Sequence, residues 1–301
     1  MAEAEKLNVL WATDGSGQSL SALPLLRQMV LPVTGKLTVL VVAPRSTISG
    51  ARPDPVLLTR ASGQTKRHAL IEAREAAEHE ATMLDPDIPV EAISRWGHPI
   101  EEILRTATKV RAGLIVMAAK GHSDLRLMFL GSVTQGVAHH TTRPILVARP
   151  GAQDVDKVVV GYHGTSSAKR ALAFLGRLAL PTAAEIVVVT AIEPFALPEG
   201  TPPAYRAQAL RESHAINLQR HKAAEDALTQ LARAISTTGR KVTTEVLAGN
   251  AAEVLDEAAR RHSANLLVLG SRRPKPESRF IFGTTAEQLM RHSHTSVLLV
   301  R

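Results

Sequence analysis

The chain has 301 residues, 45% apolar and 21% charged, an ordinary globular mix long enough for two domains. It has no cysteine, which excludes disulfides, a thiolate nucleophile and cysteine-based metal sites, and no apolar run of membrane-spanning length. The net charge of +8 is spread out, and aromatics are only 3%. Its densest cluster, Arg272, Arg273, Lys275 and Arg279, has just Phe280 beside it, which argues against nucleic acid as a partner.

In chain order, Met1–Asn8 lacks the basic and apolar regions of a signal peptide, so a cytoplasmic protein is expected. An apolar first strand spans Leu7–Thr13 and ends in Asp14-Gly15-Ser16. A first helix is expected from about Ser16 to Val30, with Pro24 early in it, where a missing N–H is best tolerated. Strand 2 is Leu37–Ala43, followed by a Pro- and Arg-rich loop and an Ala/Glu/Arg-rich helix over about Gly63–Leu84. Strand 3 (Val90–Ser94), helix 3 (Ile100–Val110) and strand 4 (Leu114–Ala118) follow. A loop carrying Gly121 and Gly131 then leads into helix 4 (Ser132–His140) and strand 5 (Ile145–Ala148).

The plan then repeats. Val158–Gly161 echoes Val9–Ala12 at an offset of 149, as Ala171 echoes Ala22 and Pro181 echoes Pro32. Past the loops the offset is 152: Gly97 matches Gly249, Gly131 matches Gly283, His140 matches His292 and Arg149 matches Arg301. We read a duplicated domain, 1–150 and 151–301, joined near Pro150–Asp156. Apolar strands alternating with helices imply a parallel sheet covered on both faces. The expected fold class is therefore α/β, with two doubly wound parallel five-stranded sheets, one per domain. Ligands in such folds bind beyond the carboxyl ends of the strands where the winding reverses. If strands 1 and 4 flank that reversal, Asp14 and the Met117–Gly131 loop face one crevice. The closing strands, Ile145–Ala148 and Val297–Val300, could pair the halves into an internal pseudo-dimer, and exposed edges elsewhere could build a homo-oligomer.

Asp14-Gly15-Ser16, the spacing from Gly121 through nine residues to Gly131-Ser132-Val133, and the repeat together resemble a tandem universal stress protein over nearly the whole chain. The resemblance implies a Rossmann-like, adenine-nucleotide alpha-hydrolase-like fold and a stress-response role. It also implies regulatory binding of ATP, with Mg²⁺, in the first domain, for which Asp124 is a loop carboxylate within the sequence. Asp14 would then bond the nucleoside, the Val42 backbone would meet adenine, and Met117 would pack on the nucleoside. Ala118, Gly121, Gly131, Ser132 and Val133 would surround the phosphates, with Ser132 also capping helix 4. Turn-and-cap and ordinary-core roles are the competing readings for Asp14-Gly15-Ser16 and Met117.

Two departures bear on function. Ala118 stands at the family's first loop glycine, which would strain the backbone if φ is positive there. In the second domain His163 replaces the aspartate and Arg273 a glycine, so a degenerate site is expected. The alternatives are a nucleotide-independent protein-interaction module and a binder of another anionic metabolite. The 12 histidines make no persuasive metal site. Lys120 and His122 flank Gly121, but no general base stands out, so rapid ATP hydrolysis is not expected.

Overall fold

The computed structural model describes residues 6–44, 55–84, 88–119, 130–150, 155–197, 200, 202–235, 239–271 and 283–301. In the first half the strands are β1 (Leu7–Thr13), β2 (Thr34–Pro44), β3 (Val90–Gly97), β4 (Leu114–Ala118) and β5 (Ile145–Ala148). In the second they are β6 (Lys157–Gly161), β7 (Glu185–Ile192), β8 (Val242–Ala248), β9 (Leu266–Gly270) and β10 (Ser296–Val300). Each half winds outward from its first strand in both directions, as apolar runs buried on both faces require. The order is β3-β2-β1-β4-β5-β10-β9-β6-β7-β8. The two expected five-stranded sets are thus present and join into one ten-stranded sheet. All pairings are parallel except β5 with β10, where Leu146 faces Leu298.

Helices cover both faces: α2 (Pro55–Thr82), α3 (Pro99–Lys109) and α4 (Ser132–His140), then α5 (Ser166–Leu175), α6 (Pro203–Ile235), α7 (Ala251–Arg261) and α8 (Thr284–His292). The expected first helix forms differently. After a turn it runs as 3₁₀ over Ser19–Ala22, a single α turn α1 (Leu23–Leu25), π over Leu26–Val30 and 3₁₀ again over Leu31–Val33. Pro24 and Pro32 each remove an N–H from the i→i−4 ladder, so no single helix threads the segment. In the second half the position of Pro24 is Ala173, and α5 is a regular helix.

One core cluster packs Leu7, Val9, Trp11 and Val116 together with Val158, Val268 and Leu298, so it runs unbroken through the seam between halves. The other face holds Leu10, Ile115, Met117, Val137, Leu267 and Leu299. Each such side chain fully buried contributes about 1.5–3 kcal/mol. At the seam two arginines cross over. Arg149 Nη2 donates to the Met290 carbonyl at 2.6 Å and the Arg291 carbonyl at 3.3 Å, at the end of α8. Arg301 Nη2 donates to the Ala138 carbonyl near the end of α4. Arg149 matches Arg301, and Ala138 matches Met290, at the offset of 152, so the exchange is reciprocal. A cation against the last carbonyls of a helix also meets the negative end of its dipole. No helix among the described residues is long and apolar enough to cross a membrane.

Candidate functional site

In the first half β1 lies between β2 and β4, and the winding reverses between β1 and β4. Trp11 pairs with Val116, so the strand ends at Thr13 and Ala118 lie side by side. Asp14 leaves one of these ends. From the other, the Gly131 N–H returns to the Ala119 carbonyl at 2.7 Å and α4 begins. Asp14 and Gly131 therefore lie at the same carboxyl end of the sheet, where such folds bind ligands. Gly121, Lys120, His122, Asp124 and Arg273 lie outside the described residues.

Asp14 opens a tight turn. Its Oδ1 accepts the Ser16 N–H at 3.1 Å, and Gly15 takes φ +74°, a left-handed backbone that glycine allows without strain. Gly164 repeats that geometry in the second half at φ +73°. Val41 pairs with Thr13, so Val42 is the next residue beyond that level on β2, at the same end of the sheet. Met117 is 5% exposed and packs in the core.

Gly131, at φ −61° and ψ 145°, is itself the N-cap of α4, and no side chain caps the helix. The expected cap by Ser132 does not form: as the first helical residue its exposed side chain cannot fold back to the orphan N–H groups. The N–H groups of Ser132 and Val133 therefore start α4 without a side-chain cap, the donor set an anion would use. Thr165 caps α5 and Asn250 caps α7, whereas α3 and α8, the latter the counterpart of α4, also start without a side-chain cap. Thr134, which the sequence reading missed, donates from Oγ1 to the Ala118 carbonyl at 2.9 Å and ties α4 to the end of β4.

Ala118 is extended strand paired with Ala148 and is not among the positive-φ residues, so its substitution for glycine strains nothing. Strand alternation turns its methyl to the face of Trp11 and Thr13, away from the α4 layer. The second half shows the other solution. A Cβ on Gly270, the counterpart of Ala118, would fall 2.2 Å from the Ser167 carbonyl oxygen. There α5 closes directly on the strand end. His163, in place of Asp14, contacts Thr165 Oγ1 through Nε2 at 3.0 Å, beside the N-cap of α5.

A separate cavity of about 300 Å³ opens at the seam, lined by Arg149, Arg260, Asn265, His294 and Ser296 among others. Its arginines are already engaged: Arg149 on helix carbonyls, Arg260 on Asp256 at 2.7 Å. Among the described residues no group of three or more histidines and acids could hold a metal.

Comparison with known proteins agrees with this architecture. The model of the universal stress protein family matches residues 7–149 and again 154–301. Universal stress protein YxiE of Bacillus subtilis (strain 168) is 27% identical over 147 residues, 47% of this chain and 97% of that protein. A universal stress protein from Archaeoglobus fulgidus DSM 4304 superposes with a TM-score of 0.64 at 20% identity, covering 98% of each chain. A functionally unknown protein from Pseudomonas aeruginosa PAO1 gives 0.63 at 15% identity over 98% of this chain and 92% of its own. These two share the fold.

Proposed function

This chain belongs to the universal stress protein family, two copies in tandem, and we propose that its first half binds an adenine nucleotide, ATP, as a regulatory ligand. The observation that carries the reading is the uncapped start of α4 opposite Asp14, across the reversal point of the sheet. Phosphate oxygens would take the N–H groups of Ser132 and Val133, with Gly121 and Gly131 letting the backbone approach. Asp14 would bond the ribose, Val42 would meet adenine through its backbone, and Met117 would form the floor. Ala118 leaves that space open. The residues in hand supply binding rather than turnover. Nucleotide contacts would order the crevice and change the surface that protein partners meet, to the extent that the two states differ in affinity. With phosphates bound, Mg²⁺ would neutralise their charge.

Calorimetric titration of the full chain tests this. The expected result is one ATP per chain. Asp14→Ala should weaken it about tenfold or more, as loss of a charged hydrogen bond does. Gly131→Val should do the same by filling the phosphate space; its negative φ lets valine fold there. Absence of both heat and thermal shift at millimolar ATP would overturn the reading.

The second half supports a different reading, a nucleotide-independent interaction unit. Its motivation is the approach of α5 onto Gly270 and the engagement of His163. It predicts that His163→Ala leaves the ATP isotherm unchanged. A second equivalent of ATP lost in that variant would sink it.

A further inference from the structure

Behind the Asp14 turn lies a carboxyl group that nucleotide contacts leave unused. Glu80, near the end of α2, is 2% exposed. Its Oε1 receives the Thr13 hydroxyl at 2.7 Å and meets the Ser19 hydroxyl at 3.0 Å, while its Oε2 is buried without a partner. Thr13 and Ser19 bracket the Asp14 turn, so one side chain from a distant helix grips both ends. The grip continues into the turn. Thr13 Oγ1 accepts the Gly15 N–H at 3.2 Å, and the Ser19 hydroxyl lies 2.5 Å from the Ser16 carbonyl.

The proton count points to a neutral acid. Ser19 has one hydroxyl proton and two acceptors, the Ser16 carbonyl and Glu80 Oε1. The shorter contact takes the proton, because a carbonyl can only accept whereas a carboxyl group can also carry a proton and donate. The Ser19–Glu80 contact is then a hydrogen bond only when Glu80 supplies the proton. A carboxylate would also leave a charged oxygen buried and unpartnered, which costs more than a neutral one. We propose that Glu80 is a positioning residue: a neutral carboxylic acid that locks the Asp14 turn in its nucleotide-receiving shape and releases it on ionisation.

The proposal rests on the nucleotide reading of that crevice. Burial raises the Glu80 pKa above the ordinary glutamate value, and the Asp14 charge pushes the same way. Donation by Thr13, donation by Ser19 once its proton turns to the carboxyl, and the His79 charge act against them. Strands β2 and β3 face α2 with apolar side chains, Val39, Val41, Ala43 and Trp96, and Arg27 donates to the Met83 carbonyl just past the end of α2. On ionisation Ser19 must turn its proton to the carboxylate and drop Ser16, and a new negative charge stands beside Asp14. Both changes disfavour a polyphosphate. By reciprocity, bound nucleotide raises the proton affinity of Glu80. The second half lacks the device. Tyr162 and Ala168 stand for Thr13 and Ser19, and the described residues that α6 buries are Ser213 and Leu228.

The test titrates ATP into the full chain between pH 5.5 and 9, for the parent, Glu80→Gln and Glu80→Leu. Comparing parent with Glu80→Gln cancels the ionisation of ATP itself. With its NH2 at the Oε1 position the amide donates to both the Thr13 and the Ser19 hydroxyl oxygens and cannot ionise, so Glu80→Gln should hold its low-pH affinity while the parent falls behind it by about tenfold per unit of coupled pKa shift. Glu80→Leu should bind weakly throughout. In nucleotide-free protein, the Gly15 and Ser16 amide resonances should titrate in the parent and stay fixed in Glu80→Gln. Superimposable pH profiles of parent and Glu80→Gln, with ATP bound by both, would overturn the lock and leave the nucleotide site standing. Titrating turn amides with no ATP binding at any pH would keep the lock and overturn the nucleotide site.

Discussion

At the scale of single residues, the two copies act as each other's controls. Ala118 and Gly270 occupy one place in the repeat, yet only glycine fits the second, where the Ser167 carbonyl is 2.2 Å from the missing Cβ and the Ala168 nitrogen 2.6 Å. Backbone cannot swing aside as a side chain can. Gly270→Ala should lower stability by about 1–3 kcal/mol, the cost of overpacking, measured as an earlier urea midpoint with unchanged slope. A midpoint equal to the parent's would show that α5 does not close on the strand end. Asp14, Gly15 and Gly131 were legible because motif spelling and turn chemistry are local. Glu80 was not, because its partners Thr13 and Ser19 lie 67 and 61 residues away. A signal was nonetheless present. Glu80 continues the buried stripe of Ala73 and Ala77 at helical spacing, and a lone acid on an apolar face marks a satisfied or functional carboxyl.

Among the elements, β1, β4, α4 and β5 fall where the apolar runs and flanking small residues put them, since these pieces are buried on both faces or stopped by short loops. The first helix did not. Its amphipathic pattern survives in Leu25, Leu26, Met29 and Val30, all fully buried, while two prolines break the hydrogen-bond ladder beneath that pattern. Caps show the same split between pattern and chemistry. Asn250 starts α7 by accepting the Ala252 N–H at 3.0 Å and the Glu253 N–H at 3.4 Å. His98, its counterpart, starts α3 at φ −76° and ψ 121° with no side-chain bond, close to the φ −62° and ψ 130° of Asn250. His98→Asn should therefore stabilise the chain by about 0.5–2 kcal/mol. Thermal unfolding would register a rise of a few degrees, and a fall would show that the α3 entry differs from that of α7.

Over the whole molecule, the pairing of β5 with β10 and the exchange of Arg149 and Arg301 tie the halves together across one continuous sheet. The strand pairing was legible from the apolar closing runs. The exchange was not, although the match of Arg149 with Arg301 was visible, because a terminal arginine in a basic chain reads as solvated surface. Both guanidinium groups are buried, and burial lowers each pKa, that of Arg301 to about 10. Arg149→Met or Arg301→Met strands helix-end carbonyls at the seam and should each cost about 1–3 kcal/mol. The double variant should unfold in two separable steps; a single sharp transition at the parent's midpoint would refute a role for the exchange. The antiparallel seam also points the carboxyl ends of β1 and β4 to one edge of the common sheet and those of β6 and β9 to the other. Because the partner is covalently supplied, every molecule carries one of each half in a fixed ratio. Mutation can silence one crevice without producing mixed populations of doubly competent and doubly blank pairs, a freedom that assemblies of identical single-domain subunits do not have.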